Sequence, residues 1–575
     1  MTALLTDNLP LLAGAPNGIK KLRELILEQA VRGKLVPQDP NDEPASELLE
    51  RIAEEKARLV AGGKIKKQKP LAQIDEEETP FELPINWTWS RLGNLVIESG
   101  AGWSPSCEPR PRKANEWGVL KVSAVSWGIY QPEENKALPA SLEARPEHEV
   151  AEGDFLVSRA NTAELVARSV VVETTPAHLM LSDKIVRLKL TTLCERHYAN
   201  LANSSPLARY YYSRVAGGTS SSMKNVSREQ ILSLPLALPP LAEQHRIVAK
   251  VDELMALCDR LEAQQADADS AHAQLVQALL NSLTQASDAD DFAQSWQRLA
   301  EHFHTLFTTE SSIDALKQTL LQLAVMGKLV PQDPSDEPAG EDLVKELAHQ
   351  RNELRRSGRI RESKEAIDFS GLDEMKICIP PNWNWVRMSE IAEVVRGGSP
   401  RPAGDPQFYG GDIPFLKVAD ITAIKGKYLE GYSSTIKEAG LKKTRYIDAQ
   451  TVLLTNSGAT LGVPGICNFP ASFNDGVAAF IEKSDLVFDE YLYLYLKTLT
   501  KWFLTIASRG QGQPNLNTDI IKSTWFALPP LAEQHRIVAK VDQLMALCDQ
   551  LKSCLTQARQ LHEQLASTLV EQAVA

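Results

Sequence analysis

Three groups of residues in this chain carry chemically capable side chains at suggestive spacing. His245 and His535 each precede an arginine in a repeated Glu-Gln-His-Arg run, where packing or partner contact is expected ahead of metal ligation. Glu374-Met375-Lys376 has the acidic-x-Lys spacing of half a nuclease site, a triplet that any charged chain produces by chance. Lys64, Lys66, Lys67 and Lys69, and again Arg355, Arg356, Arg359 and Arg361, cluster cations in a way that suits a solvated face or phosphate contact. The longer catalytic signatures are missing from the sequence. There is no G-x-x-x-x-G-K-[ST] for nucleotide phosphates, no [DN]-P-P-[YF] for amino methylation of a base, no G-x-G-x-x-G and no H-E-x-x-H. With neither a metal cluster nor an activated nucleophile, the chain is expected to bind and to leave the chemistry to others.

The elements that would position such binding residues are duplicated. Ala237 to Leu261 (ALPPLAEQHRIVAKVDELMALCDRL) returns as Ala527 to Leu551, differing only at Glu253/Gln543 and Arg260/Gln550. Gly33 to Ala45 (GKLVPQDPNDEPA) returns as Gly327 to Ala339, and Asn86-Trp87-Thr88-Trp89 as Asn382-Trp383-Asn384-Trp385. Each half therefore runs helix, linker, variable insert, Pro-Pro helix, an organisation that implies a pseudo-two-fold molecule. The Pro-Pro helices carry a 4-3 apolar pattern: Ile247, Val251, Leu254, Cys258 and Leu261, on to Leu275 and Leu279, and Ile537, Val541, Leu544, Cys548 and Leu551, on to Leu565 and Leu569. That is the pattern of a coiled-coil seam, and forty helical residues would span about 60 Å. Shorter helices are expected near Ile19 and Ile313, ending at the C′ glycines Gly33 and Gly327. Phe292, Trp296, Leu299, Phe303 and Leu306 mark one more amphipathic helix, and the Trp87/Trp89 and Trp383/Trp385 pairs read as packing anchors. The inserts hold β-rich runs at 118–125, 154–158, 413–421 and 451–455, bounded by Gly, Pro and Asp, so each reads as a mixed α/β domain.

Charge divides along the same lines. The net charge is −12, yet residues 83–236 hold 17 Lys+Arg against 15 Asp+Glu and residues 379–526 hold 15 against 14, so the repeated frame carries −15. Phosphate would be repelled by the frame, which leaves the inserts to meet any nucleic acid and the helices to meet protein. Composition (43% hydrophobic, 24% charged) is that of a globular protein. No apolar run approaches a membrane span, the start lacks the features of a secretory signal, and seven cysteines without C-x-x-C fit a reducing compartment, so a cytoplasmic protein is expected. Cys258 and Cys548 fall on core positions of the helices, and neither a disulfide nor a zinc site is indicated.

Order, spacing and repeats together resemble the specificity (S) subunit of type I restriction-modification systems. The second insert carries the resemblance most closely, in Gly397-Gly398-Ser399-Pro400, in Tyr409 to Asp420 (YGGDIPFLKVAD), and in Gly510 to Asn517 (GQGQPNLN) before Leu528-Pro529-Pro530. The first departs from it, with Trp103-Ser104-Pro105, Gly118 to Ser123 (GVLKVS) and Gly217-Gly218-Thr219 to Asn225-Val226-Ser227 in those places. The resemblance implies an α+β fold: two globular target-recognition domains separated by long antiparallel coiled-coil helices with pseudo-two-fold symmetry. The boundaries are an N-terminal conserved region at 1–82, recognition domains at 83–236 and 379–526, a central conserved region at 237–378 and a C-terminal helix at 527–575. It implies a non-catalytic reader of an asymmetric bipartite double-stranded DNA target. Such a reader docks two adenine-N6 methyltransferase (M) subunits, which use S-adenosylmethionine, and two restriction (R) subunits, which use ATP and Mg. The chain itself is expected to bind no cofactor or metal. A protein scaffold built from a duplicated coiled-coil unit, without DNA, is the alternative.

Reading DNA requires Arg or Lys for guanine and phosphate, and Asn or Gln for adenine. In the Gly/Pro-rich loops of the first insert the candidates are Arg110, Arg112, Lys113, Lys121, Arg159, Lys224 and Asn225. In the second they are Arg401, Lys417, Lys442, Lys443, Asn456, Arg509, Gln511, Gln513 and Asn515.

Overall fold

The computed structural model describes residues 9–220, 223–360, 376–448, 450–507 and 515–574. It is mixed α/β and falls into two compact units, one of residues 1–268 with 558–575 and one of residues 269–557. Arg509, Gln511, Gln513, Glu374 and Met375 lie outside the described residues.

In the first unit, helix α1 (Gly18–Val31) places Ile19, Leu22, Ile26 and Ala30 on one face at helical spacing. That face shares a core with Ile247, Val251, Leu254 and Cys258, the first turns of the long helix α2 (Leu241–Gln285). Arg23 bridges to Asp259 at 2.6 Å and to Glu262 at 2.9 Å along the rim. Helix α1 stops because Gly33 turns left-handed at φ 68°, and a Cβ there would stand 2.6 Å from Pro84.

The second unit repeats this arrangement. Helix α3 (Glu310–Val325) buries Ile313, Leu316, Leu320 and Leu323 with Cys548 of the helix α4 (Leu531–Val574). Val276, Leu280 and Leu283 from the end of α2 join that core. Lys317 pairs with Asp549 as Arg23 does with Asp259. Gly327 closes α3 at φ 71° against Pro380.

The seam expected along the long helices is fully buried as far as Cys258 and Cys548, continues half-buried at Leu261, Leu551 and Leu555, and returns half-buried at Leu279 and Leu569, but Leu275 and Leu565 leave it. Residues 262–271 are exposed, Leu275 and Leu565 are 53% and 49% exposed, and burial resumes one residue later, at Val276 and Ala566. From each cysteine to the next buried position is eighteen residues, five turns of a straight helix. A heptad pattern drifts by about 20° per repeat on such a helix, and without continuous supercoiling the drift moves the buried face by one position.

Each insert is entered and left by a strand pair. In the first, β1 (Thr88–Arg91) runs antiparallel to β6 (Pro235–Leu238), which leads into α2. Between them an antiparallel sheet has the order β2 (Val96–Ala101), β5 (Ile185–Leu190), β3 (Phe155–Ser158), β4 (Ser169–Val171). In the second, β7 (Asn384–Arg387) pairs with β12 (Trp525–Leu528). Its main sheet runs β8 (Glu393–Arg396), β11 (Val477–Ile481), β9 (Thr451–Thr455), β10 (Pro464–Cys467), the same topology on a different sequence.

Two expected elements are shorter than their apolar runs. The strand at 118–125 covers only Gly118–Leu120, and a 3-10 turn takes Val122–Val125. In the second insert, Tyr409–Leu416 is strand and Val418–Thr422 is helical, because Asp420 turns back to accept the Lys417 N–H at 2.8 Å. The amphipathic helix between the halves breaks at His302 into Ala289–Glu301 and Phe303–Leu306, burying Leu299 and Leu306 but leaving Trp296 and Phe303 39% exposed.

Candidate nucleic-acid interface

The repeated residues form a bolt that fixes each insert to its helix. Glu243, in the first turn of α2, accepts the Trp87 indole N–H at 2.9 Å and the Gln38 amide at 2.7 Å. Glu533 accepts the same bonds from Trp383 and Gln332 at 2.9 and 2.7 Å. Burial pushes both carboxyls above the usual glutamate range. Arg246 pairs with Asp42, and Arg536 with Asp336, each at 2.6 Å. Gln244 and Gln534 hold the carbonyls of Pro239 and Pro529 at 2.9 Å and accept the N–H of Glu195 and Phe488. Trp87 and Trp383 are 6% and 3% exposed and meet Tyr198 and Tyr491 edge-on, so these tryptophans anchor the insert base. His245 contacts Glu195 at 3.0 Å and His535 packs on Phe488. Among the described residues, no group of three or more His, Cys, Asp or Glu is placed to hold a metal, and no helix is long and apolar enough to cross a membrane.

In the first insert the candidates fall into two groups. Arg110 lies between Glu108 at 2.8 Å and Glu116 at 2.6 Å, and its bond holds the Glu116 carboxyl down at about 2. Arg112 donates to the carbonyls of Ala114 and Glu116, so both guanidiniums order their own loop, while Lys113 is exposed beside them. Lys121 stands 3.4 Å from Glu134 at the end of its strand. The second group is gathered by a small sheet in which Lys224 and Asn225 pair with Asn161 and Ala160, and the Val226 N–H reaches the Arg159 carbonyl. Arg159 and Asn225 are exposed there, and Lys224 is tied to the Gly218 carbonyl at 2.8 Å. Asn161 donates to Ser126 at 2.8 Å, which links this sheet to the turn following Lys121.

In the second insert the loops converge at one end of the main sheet. Gly398 donates to the Phe473 carbonyl and abuts Lys443, Asn474 donates to Leu416 beside Lys417, and Asn456 donates to Gly476. Arg401, Lys442 and Lys443 are exposed, and the Lys443 ammonium sits 4.2 Å over Phe408. Asn515 is exposed and bridges to Ser457. Asn456 requires a correction: its side chain is 0% exposed and neither amide atom has a hydrogen-bond partner, so as folded it faces the interior and not a groove. It directly follows the fully buried strand β9, and its backbone is held on both sides, its N–H by the Gly476 carbonyl and its carbonyl by the Leu516 N–H, which keeps the side chain inside.

Residues the spacing did not mark also belong to these clusters. Arg396 and Ser399 are bound to Asp475, Ser104 to Asp183, and Arg445 is exposed on the strand next to Lys443. The Ser-Pro dipeptides at 104 and 399 were the available signal, but their aspartate partners lie 76 or more positions away.

A family model described as the type I restriction modification DNA specificity domain matches residues 380–558. The EcoAI specificity subunit of Escherichia coli is 35% identical over 577 residues, covering 97% of this chain and 94% of that protein. The EcoEI specificity subunit of Escherichia coli is 36% identical over 583 residues, with the same coverage. A solved chain from a study of assembly and conformational transition of the type I R-M system covers 86% of this chain and 99% of its own length, at TM-score 0.47 and 18% identity. The chain belongs to the type I restriction enzyme specificity subunits, a family of DNA target recognition.

Proposed function

We propose that this chain reads an asymmetric bipartite DNA sequence, one half with residues 83–236 and the other with residues 379–526. The segments 1–82, 237–378 and 527–575 form the frame that separates the two readers with pseudo-two-fold symmetry. On this reading the frame docks two M subunits, which methylate adenine at N6 with S-adenosylmethionine, and two R subunits, which use ATP and Mg. The assembly works in the cytoplasm, and this chain contributes no cofactor. The reading surface is drawn from Lys113, Lys121, Arg159, Lys224, Asn225, Arg401, Lys417, Lys442, Lys443 and Asn515, with Arg509, Gln511 and Gln513 as further candidates. Arg110 and Arg112 order the loop that carries Lys113.

One observation carries this reading. The Trp–Glu–Gln bolt and the Asp–Arg pair recur bond for bond in both units, while the inserts they hold differ in sequence and in charge placement. Identical mounts with unlike inserts suit identical partners on the frame and unlike half-sites on the inserts. The test is to express the chain with its M subunit in a host and map methylated adenines by single-molecule sequencing, then to exchange residues 83–236 for another such insert. One half of the methylated motif should change while the other half and the spacer stay constant. A swap that alters both halves would refute modular reading.

A further inference from the structure

Both inserts carry the same four hydrogen bonds across four chain segments, although the residues making three of them differ. In the first insert the Trp103 N–H reaches the Leu181 carbonyl at 2.9 Å, the Ser104 hydroxyl donates to Asp183, the Arg159 N–H reaches Lys184 at 2.7 Å, and the Val226 N–H reaches Arg159 at 2.9 Å. In the second, Gly398 reaches Phe473 at 3.1 Å, the Ser399 hydroxyl donates to Asp475 at 2.6 Å, Asn456 reaches Gly476 at 2.9 Å, and Leu516 reaches Asn456 at 2.7 Å. The segments follow in the same order along the chain. Three of the four bonds join backbone to backbone and constrain no side chain. The fourth is a side-chain pair, serine to aspartate, retained in both inserts.

We propose that Ser104–Asp183 and Ser399–Asp475 are positioning latches, each holding the loops of its own insert in register for base reading; this rests on the DNA-reading function proposed above. Each latch ties the loop entered from the first strand of the main sheet to the turn whose next carbonyl anchors residue 159 or 456. Close approach of that loop is already demanded on the page. A Cβ on Gly102 would stand 1.9 Å from the Leu181 carbonyl oxygen, and one on Gly397 would stand 2.3 Å from that of Phe473. The Asp183 carboxylate stands 3.5 Å from the Lys184 ammonium, and Asp475 lies in the turn that binds the Arg396 guanidinium. A carboxylate among groups that meet phosphate opposes binding, and its geometric role explains its presence there. Asp475 is further tied in, because its own carbonyl accepts the Arg396 guanidinium. Asp183 returns a second bond, its N–H reaching the Ser104 oxygen at 3.0 Å.

The experiment uses the full chain in complex with its M subunit and duplexes mutated in one half-site at a time. Ser104→Ala should relax discrimination in one half-site only, and Ser399→Ala in the other half-site only, each by about tenfold, the effect of one hydrogen bond to a charged acceptor. Ser399→Thr and Asp475→Asn keep donor and acceptor and should restore discrimination. In the two alanine variants and in Ser399→Thr, affinity for a scrambled duplex, its salt slope, and assembly with M should stay at wild-type values. Unchanged discrimination in both alanine variants overturns the latch, as does equal relaxation of both half-sites or a matching loss of scrambled-duplex affinity. A wild-type complex with no sequence preference overturns the DNA-reading assignment itself, which separates the two failures.

Discussion

Replacing Trp383 with Phe isolates the bolt of the second unit. The substitution keeps a ring of similar placement against Tyr491, whose centroid lies 6.4 Å away in an edge-on contact, and removes only the indole N–H and part of the ring. Glu533 then loses one of three donors, keeping Gln332 at 2.7 Å and Asn382 at 3.3 Å. A hydrogen bond to a charged acceptor contributes about 1.5–3 kcal/mol, so the local stability of the β7–β12 pair should fall by about 2 kcal/mol. Trp87→Phe should cost the same in the first unit, because its bond to Glu243 has the same 2.9 Å length. The pH dependence has a definite sign. Burial raises the folded-state pKa of Glu533 above its unfolded value, so the stability linked to its proton is fully present below the ordinary glutamate range and is lost as pH rises through the folded value. The Trp383 bond lowers that folded pKa, so Trp383→Phe raises it further, and the deficit of the variant should shrink on acidification toward the unfolded glutamate pKa. Hydrogen exchange at the amides of Asn384–Arg387, with urea added in steps and repeated across pH, reads the local opening free energy. Equal exchange in wild type and variant, or a deficit that grows on acidification, would refute the reasoning.

Gly327→Ala should destabilise the second unit by more than about 1 kcal/mol, since φ is 71° and the new Cβ would stand 2.4 Å from Pro380; urea unfolding checks it. Val276→Asp should disrupt the second unit whereas Leu275→Asp should be tolerated, a contrast in circular dichroism that tests where the buried face of α2 resumes. Arg110→Ala should raise the Glu116 carboxyl from about 2 toward the ordinary glutamate range but leave it depressed, because the Lys113 N–H still donates to it, as NMR titration would read; the loop order it supports is present above that range and lost in wild type as pH falls toward 2. Lys442→Ala and Lys443→Ala should weaken specific and scrambled duplexes alike and lower the salt slope by about one unit per phosphate contact, whereas Arg159→Ala should cost about 1–3 kcal/mol at one base position, both read from duplex titrations in several salt concentrations.

Sequence alone determined whatever depends on local pattern or on literal repetition. The helix ends at Gly33 and Gly327 were legible because left-handed backbone favours glycine, and the Pro-Pro entries because proline cannot continue a helix. Trp87 and Trp383 as anchors followed from repeats that no folding step has to reveal. Tertiary structure alone decided what depends on contacts between distant residues. Full burial on α2 resumes one position off the heptad pattern, at Val276 and not Leu275, because the pattern drifts on a straight helix and the stretch packs in a different core from Ile247 to Cys258. Arg110 and Arg112 are engaged within their own loop, and Asn456 is interior, because its backbone is held on both sides after a buried strand, whatever the polarity of its amide. The Ser–Asp latches join residues 76 and 79 positions apart, and pairs so separated leave no periodicity in a single chain. They exist because two unlike sequences adopt the same strand order, and strand order is set by long-range pairing that local propensity does not encode.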